Sequence, residues 1–183
     1  MTLEEIQDEY DRRGRLSNEA LSELRRYLRS ADPYTAITVT ADCAATDLSD
    51  DLLACLESSD QMVRWNAAAA LFTRFRSTEY VEACKGMAVG DQSSMVRAVA
   101  LCGIGEVLPY IKSRGESGQL AALLLETFLQ EKELPEVRAA AYEGMLAAQQ
   151  VPPLERPPAS RQLDMDRDVD SRIVNAFRAK WLQ

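Results

Sequence analysis

Apolar residues along this chain recur at three- and four-residue intervals, the spacing that gathers them on one face of an α-helix. Thr2-Leu3-Glu4-Glu5 reads as a capping box that opens a helix running to about Arg13 and stopping at Gly14. Ser17 caps a second helix, Asn18 to Arg29, with Leu21, Leu24 and Leu28 on one stripe. Pro33 to Ala45 reads as helical despite the β-branched Thr35, Thr38 and Thr40. Ser49 caps Asp50 to Glu57, and further helices are predicted over Gln61 to Arg76, Glu79 to Val89, Ser93 to about Ile111, Gly118 to Glu131 and Pro135 to Gln149. The stretch Ser113 to Gly118 between two of them is expected to be a loop, mobile by composition. Prolines 152, 153, 157 and 158 forbid a continuous helix beyond Val151, so an extended linker is expected there. A last helix, Val169 to Leu182, carries Val169, Ile173, Phe177 and Trp181 at fourfold spacing.

Three of these stretches repeat one another. Asp60-Gln61-Met62-Val63-Arg64 returns as Asp91-Gln92-Ser93-Ser94-Met95-Val96-Arg97, and again as Glu133-Leu134-Pro135-Glu136-Val137-Arg138. The Val-Arg pairs lie 33 and then 41 residues apart. Each copy has an acid in a turn, an apolar residue followed by Arg, and then an Ala-rich helix. A period of this length marks stacked helical units that share a core with their neighbours. A wheel through Gln61 to Arg76, at about 100° per residue, puts Val63, Ala67, Ala70, Leu71 and the stem of Arg74 on one side. Trp65, Ala69, Phe72 and Arg76 share the other.

This pattern, over about residues 47 to 149, resembles the HEAT-repeat family in its short bacterial form. The resemblance implies an all-α fold: an α-solenoid of about ten helices in antiparallel pairs with a C-terminal capping helix. The expected organisation is a repeat array over 1–150, a Pro-rich linker over 151–168 and a capping helix over 169–183, together one domain. It also implies that Arg64, Arg97 and Arg138 pair with acids in neighbouring turns, for which Asp60, Asp91 and Glu133 are the candidates. The second helix of each pair would line a concave surface. That assigns Trp65, Ala69, Phe72 and Arg76 to a partner-binding face, continued by Cys102, Glu106 and Glu143 in the later copies.

Charge narrows the choice of partner. The formal net charge is −8 and the pI near 4.7, opposite to the basic footprint that a phosphate backbone requires. No nucleic acid is therefore expected as partner. No apolar run reaches the roughly 18 residues of a membrane span, and the acidic N-terminus lacks a signal pattern. A cytoplasmic protein with no membrane association, monomeric when free, is the expectation. The four cysteines show no paired spacing and read as reduced, buried small hydrophobes. Histidine is absent, which removes Ser-His-Asp and Cys-His catalysis and His-containing metal sites. Gly103-Ile104-Gly105 follows no strand and reads as room for a neighbouring helix or a ligand, not as a nucleotide loop. Acids between Asp164 and Asp170 precede a helix N-terminus and lack the Gly and Glu of a calcium loop.

No catalytic residue, cofactor or metal is assigned. The expected function is a non-enzymatic protein-binding scaffold. Its finer form is an immunity or inhibitor protein that neutralises a basic toxin through the concave face. Two alternatives come from HEAT-like enzyme families: a bilin lyase-like handler of tetrapyrroles, with Cys102 facing the groove, and an alkylpurine DNA glycosylase.

Overall fold

The computed structural model describes residues 1–157, 164 and 167–182. The chain divides into two compact units, Met1–Phe75 and Arg76–Gln183. The described residues form α-helices joined by short 3-10 and π turns, without strands. None of the helices is long and apolar enough to cross a membrane.

The first unit holds α1 (Leu3–Arg13), α2 (Asn18–Leu28), α3 (Tyr34–Asp42), α4 (Ser49–Cys55) and α5 (Gln61–Ala68), followed by a π turn over Ala69–Arg74. The capping box forms as its sequence dictates: the Glu5 N–H donates to Thr2 Oγ1 at 3.2 Å, and the Thr2 N–H to the Glu5 carboxylate at 2.7 Å. Gly14 ends α1 with a φ of 66°, a conformation glycine adopts without strain. Helix α3 packs against α1, α2 and α5, and α4 against α2 and α5. Ile6, Leu24, Ile37, Leu48, Leu52 and Leu71 fill the space between them. Thr40 is buried there, its hydroxyl donating to the Ala36 carbonyl at 2.7 Å, which satisfies the one polar group it brings into the core. Ser49 does not cap α4; it is the helix's first residue, and its hydroxyl donates to the Thr46 carbonyl across a 3-10 turn. Asp51, 7% exposed, receives Arg25 at 2.9 Å and Arg29 at 2.7 Å, tying α2 to α4.

The second unit holds α6 (Val81–Gly90), α7 (Ser94–Val107), α8 (Arg114–Leu129), α9 (Pro135–Ala148) and α10 (Ser171–Trp181). Helices α6 and α7 pair, α8 and α9 pair, and α7 lies against α9. The last contact is backbone to backbone. A Cβ placed on Gly105 would collide with the Gly144 carbonyl, and one on Gly144 would lie 2.6 Å from the Leu101 carbonyl oxygen. The room that Gly103-Ile104-Gly105 provides is thus occupied, at Gly105, by a helix. Helix α10 packs on α8 and α9 as a terminal cap. It buries Val174 and Phe177, with Ile173 and Trp181 half-buried beside them. Asp170 caps it, accepting from the Arg172 N–H at 2.8 Å, and the Asp170 N–H donates to the Tyr142 hydroxyl at 2.9 Å. Met165 and Asp166, within the acidic run ahead of this helix, lie outside the described residues.

The expected loop over Ser113 to Gly118 is instead the first turn and a half of α8. Ser113 Oγ accepts from the Glu116 N–H at 3.3 Å, and the Ser117 hydroxyl donates to the Arg114 carbonyl at 3.1 Å. A Ser-x-x-Glu start with an acid in the first turn outweighs the two glycines.

Candidate functional site

Of the seven residues expected on a binding face, three belong to the first unit. Trp65 and Ala69 are half-buried. Phe72 is fully buried, so its ring is withdrawn from any contact surface, a correction to the helical wheel. The cause is local. Over Ala69–Arg74 the helix widens into a π turn, closed by the Phe75 N–H donating to the Ala70 carbonyl. A π turn holds more residues than an α turn, so positions beyond Ala69 are rotated away from where a uniform 100° step would put them.

The other four belong to the second unit, where they form one polar cluster on the face of α7 and α9. Glu106, on α7, receives two arginines: Arg76 at 3.0 Å and Arg156 at 2.7 Å. Arg76 stands just ahead of this unit's first helix with a φ of 53°, and it also donates to the Tyr110 hydroxyl at 3.4 Å. Glu143, on α9 and half-buried, accepts from the Cys102 thiol at 3.5 Å. Burial raises the Glu143 carboxyl above its ordinary value, against the lowering pull of the Cys102 hydrogen bond and of Arg156. The Cys102 thiol is pushed well above its ordinary value, first by burial and then by Glu143. It is therefore held as the neutral thiol near pH 7 and lacks the thiolate character that nucleophilic attack requires.

Arg156 is the residue that sequence reasoning missed. It lies in the segment expected to be a plain linker, as the lone cation of Pro-Pro-Leu-Glu-Arg-Pro. Helix α9 ends where Gln150 takes a φ of 61° and the Val151 N–H returns to the Leu146 carbonyl. Pro152 and Pro153 then start a 3-10 turn over Pro153–Glu155. That turn brings the Arg156 guanidinium back to the Val151 carbonyl at 2.8 Å and forward onto Glu106. The pair is well sheltered, its side chains only 10% and 14% exposed. Beside this turn is a cavity of about 220 Å³ whose lining includes Arg76, Glu106, Tyr110, Ala147 and Pro153. The one local signal in the sequence is Pro157, which restricts the backbone of Arg156 ahead of it.

The arginines of the repeat signature have structural positions. Arg97 reaches the Asp91 carbonyl at 3.0 Å and the Glu133 carboxylate at 3.2 Å, linking the α6–α7 turn to the α8–α9 turn. Arg64 donates to the Ser58 and Ser59 carbonyls in the turn between α4 and α5, and Arg138 to the Phe128 carbonyl in the last turn of α8. Asp60 caps α5, accepting from the Met62 N–H, whereas Asp91 accepts from the N–H of Ser93, the residue just ahead of α7. Among the described residues no group of three or more His, Cys, Asp or Glu side chains is placed to hold a metal ion.

Paired helices carrying a Val-Arg signature, with a polar cluster on the second helices, define a helical-repeat protein-interaction scaffold. The profile for HEAT repeats matches residues 49–146, more than half of the chain, and the chain belongs to that family. Repeats of this kind commonly mediate protein interactions. Neither a curated protein nor a solved structure gave a significant match.

Proposed function

We propose that this protein binds a basic protein partner through the α7–α9 face, and that it does so as an immunity or inhibitor protein that neutralises a toxin. The observation that carries the reading is the Glu106–Arg156 pair. It is a sheltered carboxylate already engaged by a guanidinium, with a second carboxylate, Glu143, on the facing helix. The chain's net charge of −8 favours encounter with a cationic surface, and an arginine that displaced Arg156 would find Glu106 on α7 and Glu143 on α9 beside it.

Affinity capture on the immobilised full chain, followed by identification of what is retained, tests this. The expected partner is basic, is released by raised salt and is lost on the E106Q/E143Q variant. Co-expression with the captured protein should abolish that protein's toxicity. An acidic partner, or one retained equally by the double variant, would count against the α7–α9 face.

A further inference from the structure

We infer that residues 151–157 are an internal strap whose Arg156 occupies, in cis, the seat that an arginine of the partner takes in trans. This rests on the proposed basic partner and names how its side chain is recognised.

Beyond Val151, whose N–H is held by the Leu146 carbonyl, the strap is fastened at one point. Pro152, Pro153, Leu154 and Glu155 are all exposed, Leu154 completely so. Arg156 is the sheltered member, gripped by Glu106 and by the Val151 carbonyl. A segment with so little buried surface opens at low cost, so exchange requires only that one guanidinium leave and another arrive. The seat is shaped for that group. Glu106 offers one carboxylate oxygen to Arg76 and the other to Arg156, and Glu143 adds negative charge without an arginine of its own at hydrogen-bond distance among the described contacts. The 220 Å³ cavity beside the strap accommodates the aliphatic stem of an incoming arginine. A lysine would present a compact, strongly hydrated charge instead of a planar fork. The occupant is therefore an arginine side chain of the basic partner.

A seat occupied in cis scales a competing ligand's apparent affinity by the fraction of time the seat is free. A strap closed about nine-tenths of the time lowers apparent affinity about tenfold. The test is titration of the full chain with blocked hexa-arginine and, separately, hexa-lysine peptides at fixed ionic strength. R156Q should bind hexa-arginine about tenfold more tightly than the native chain. The E106Q/R156Q variant should lose that gain. R167Q, which removes an exposed arginine paired with Asp168, controls for the change in net charge and should show no such gain. In the native chain, amide exchange at Leu154 and Arg156 should quicken as hexa-arginine is added. Should R156Q fold poorly, R156K retains the charge without the fork and should show a smaller gain.

Equal affinities for the native chain, R156Q and R167Q would overturn the strap and leave the basic-partner reading standing. An equal gain with hexa-lysine would overturn the choice of arginine. Failure of every variant to bind either cationic peptide would sink both proposals together.

Discussion

The two compact units are built from the same kind of helical pair, yet they hold their helices together by different means. Of the eight glycines, the first unit contains Gly14 alone, at a helix end, and the other seven fall in the second unit. Packing in the first unit relies on branched side chains between α2, α3, α4 and α5, with Asp51 clamping Arg25 and Arg29 at the edge. In the second unit α7 and α9 meet backbone to backbone at Gly105 and Gly144. Glycine contact brings two second helices close enough for Glu106 and Glu143 to share one face. A π turn in the first unit moves a large ring, Phe72, off the face its sequence position suggests. The repeat signature sets the pairing of helices; the residues between the signatures decide whether a pair of neighbours can form a site.

The largest effect should come from closing the gap that glycine leaves. Gly105→Ala puts a methyl group into the Gly144 carbonyl, where no flexible side chain can yield. Forced separation of packed helices costs about 3 kcal/mol, a fall in Tm of roughly 6–12 °C for a chain of this size. Amide exchange should quicken in α7 and α9, and the Cys102–Glu143 pair should separate. A variant with native protection in both helices would erase the distinction drawn between the units.

Asp51→Ala is the matching test in the first unit. Asp51 itself is buried, but Arg25 and Arg29 are 42% and 69% exposed and return to water once it is gone. The expected loss is about 1–2 kcal/mol, below that of a fully buried pair, with faster exchange in α2 and α4 while α7 and α9 stay protected. Loss of protection in α7 and α9 instead would mean that the first unit's clamp also holds the second.

A third, smaller effect concerns α8. Ser113→Ala removes the cap that converts an expected loop into a helix, at a cost of about 1 kcal/mol. Exchange should quicken in the first turn of α8 and leave Leu120 onward unchanged.

That helix shows where the sequence could be read and where it could not. The capping box at Thr2, the stop at Gly14 and the Val-Arg period announce themselves through local hydrogen bonds and spacing, and each is found in the structure. The start of α8 departs from the loop that Gly115 and Gly118 suggest because the Ser113 cap and Glu116 outweigh them. Phe72 was misplaced because a π turn is a response to packing, with no residue code of its own. Cys102, Glu106 and Glu143 come to one face because α7 and α9 keep regular helical geometry, so a wheel suffices for them. Arg156 was beyond the wheel, since its position depends on a proline turn that folds back over a distant helix.

The smallest effect distinguishes the site from the packing around it. Burial raises the Glu143 carboxyl, while the Cys102 hydrogen bond and Arg156 lower it. A carboxyl raised in the folded state contributes stability that is fully present below its ordinary range and lost as pH rises through the folded value. Glu143→Gln keeps an oxygen to accept from Cys102 and removes the buried charge. It should therefore be slightly more stable than the native chain at about pH 7, with the difference shrinking toward about pH 4, where the native carboxyl is also largely neutral. Thermal melts of both chains across that range give the readout. Repeating them in an Arg156→Gln background sharpens the result. Without the guanidinium the Glu143 carboxyl rises further, so the gain from Glu143→Gln at about pH 7 should grow. An unchanged gain would mean that Arg156 does not act on Glu143, leaving Glu106 alone to define the seat.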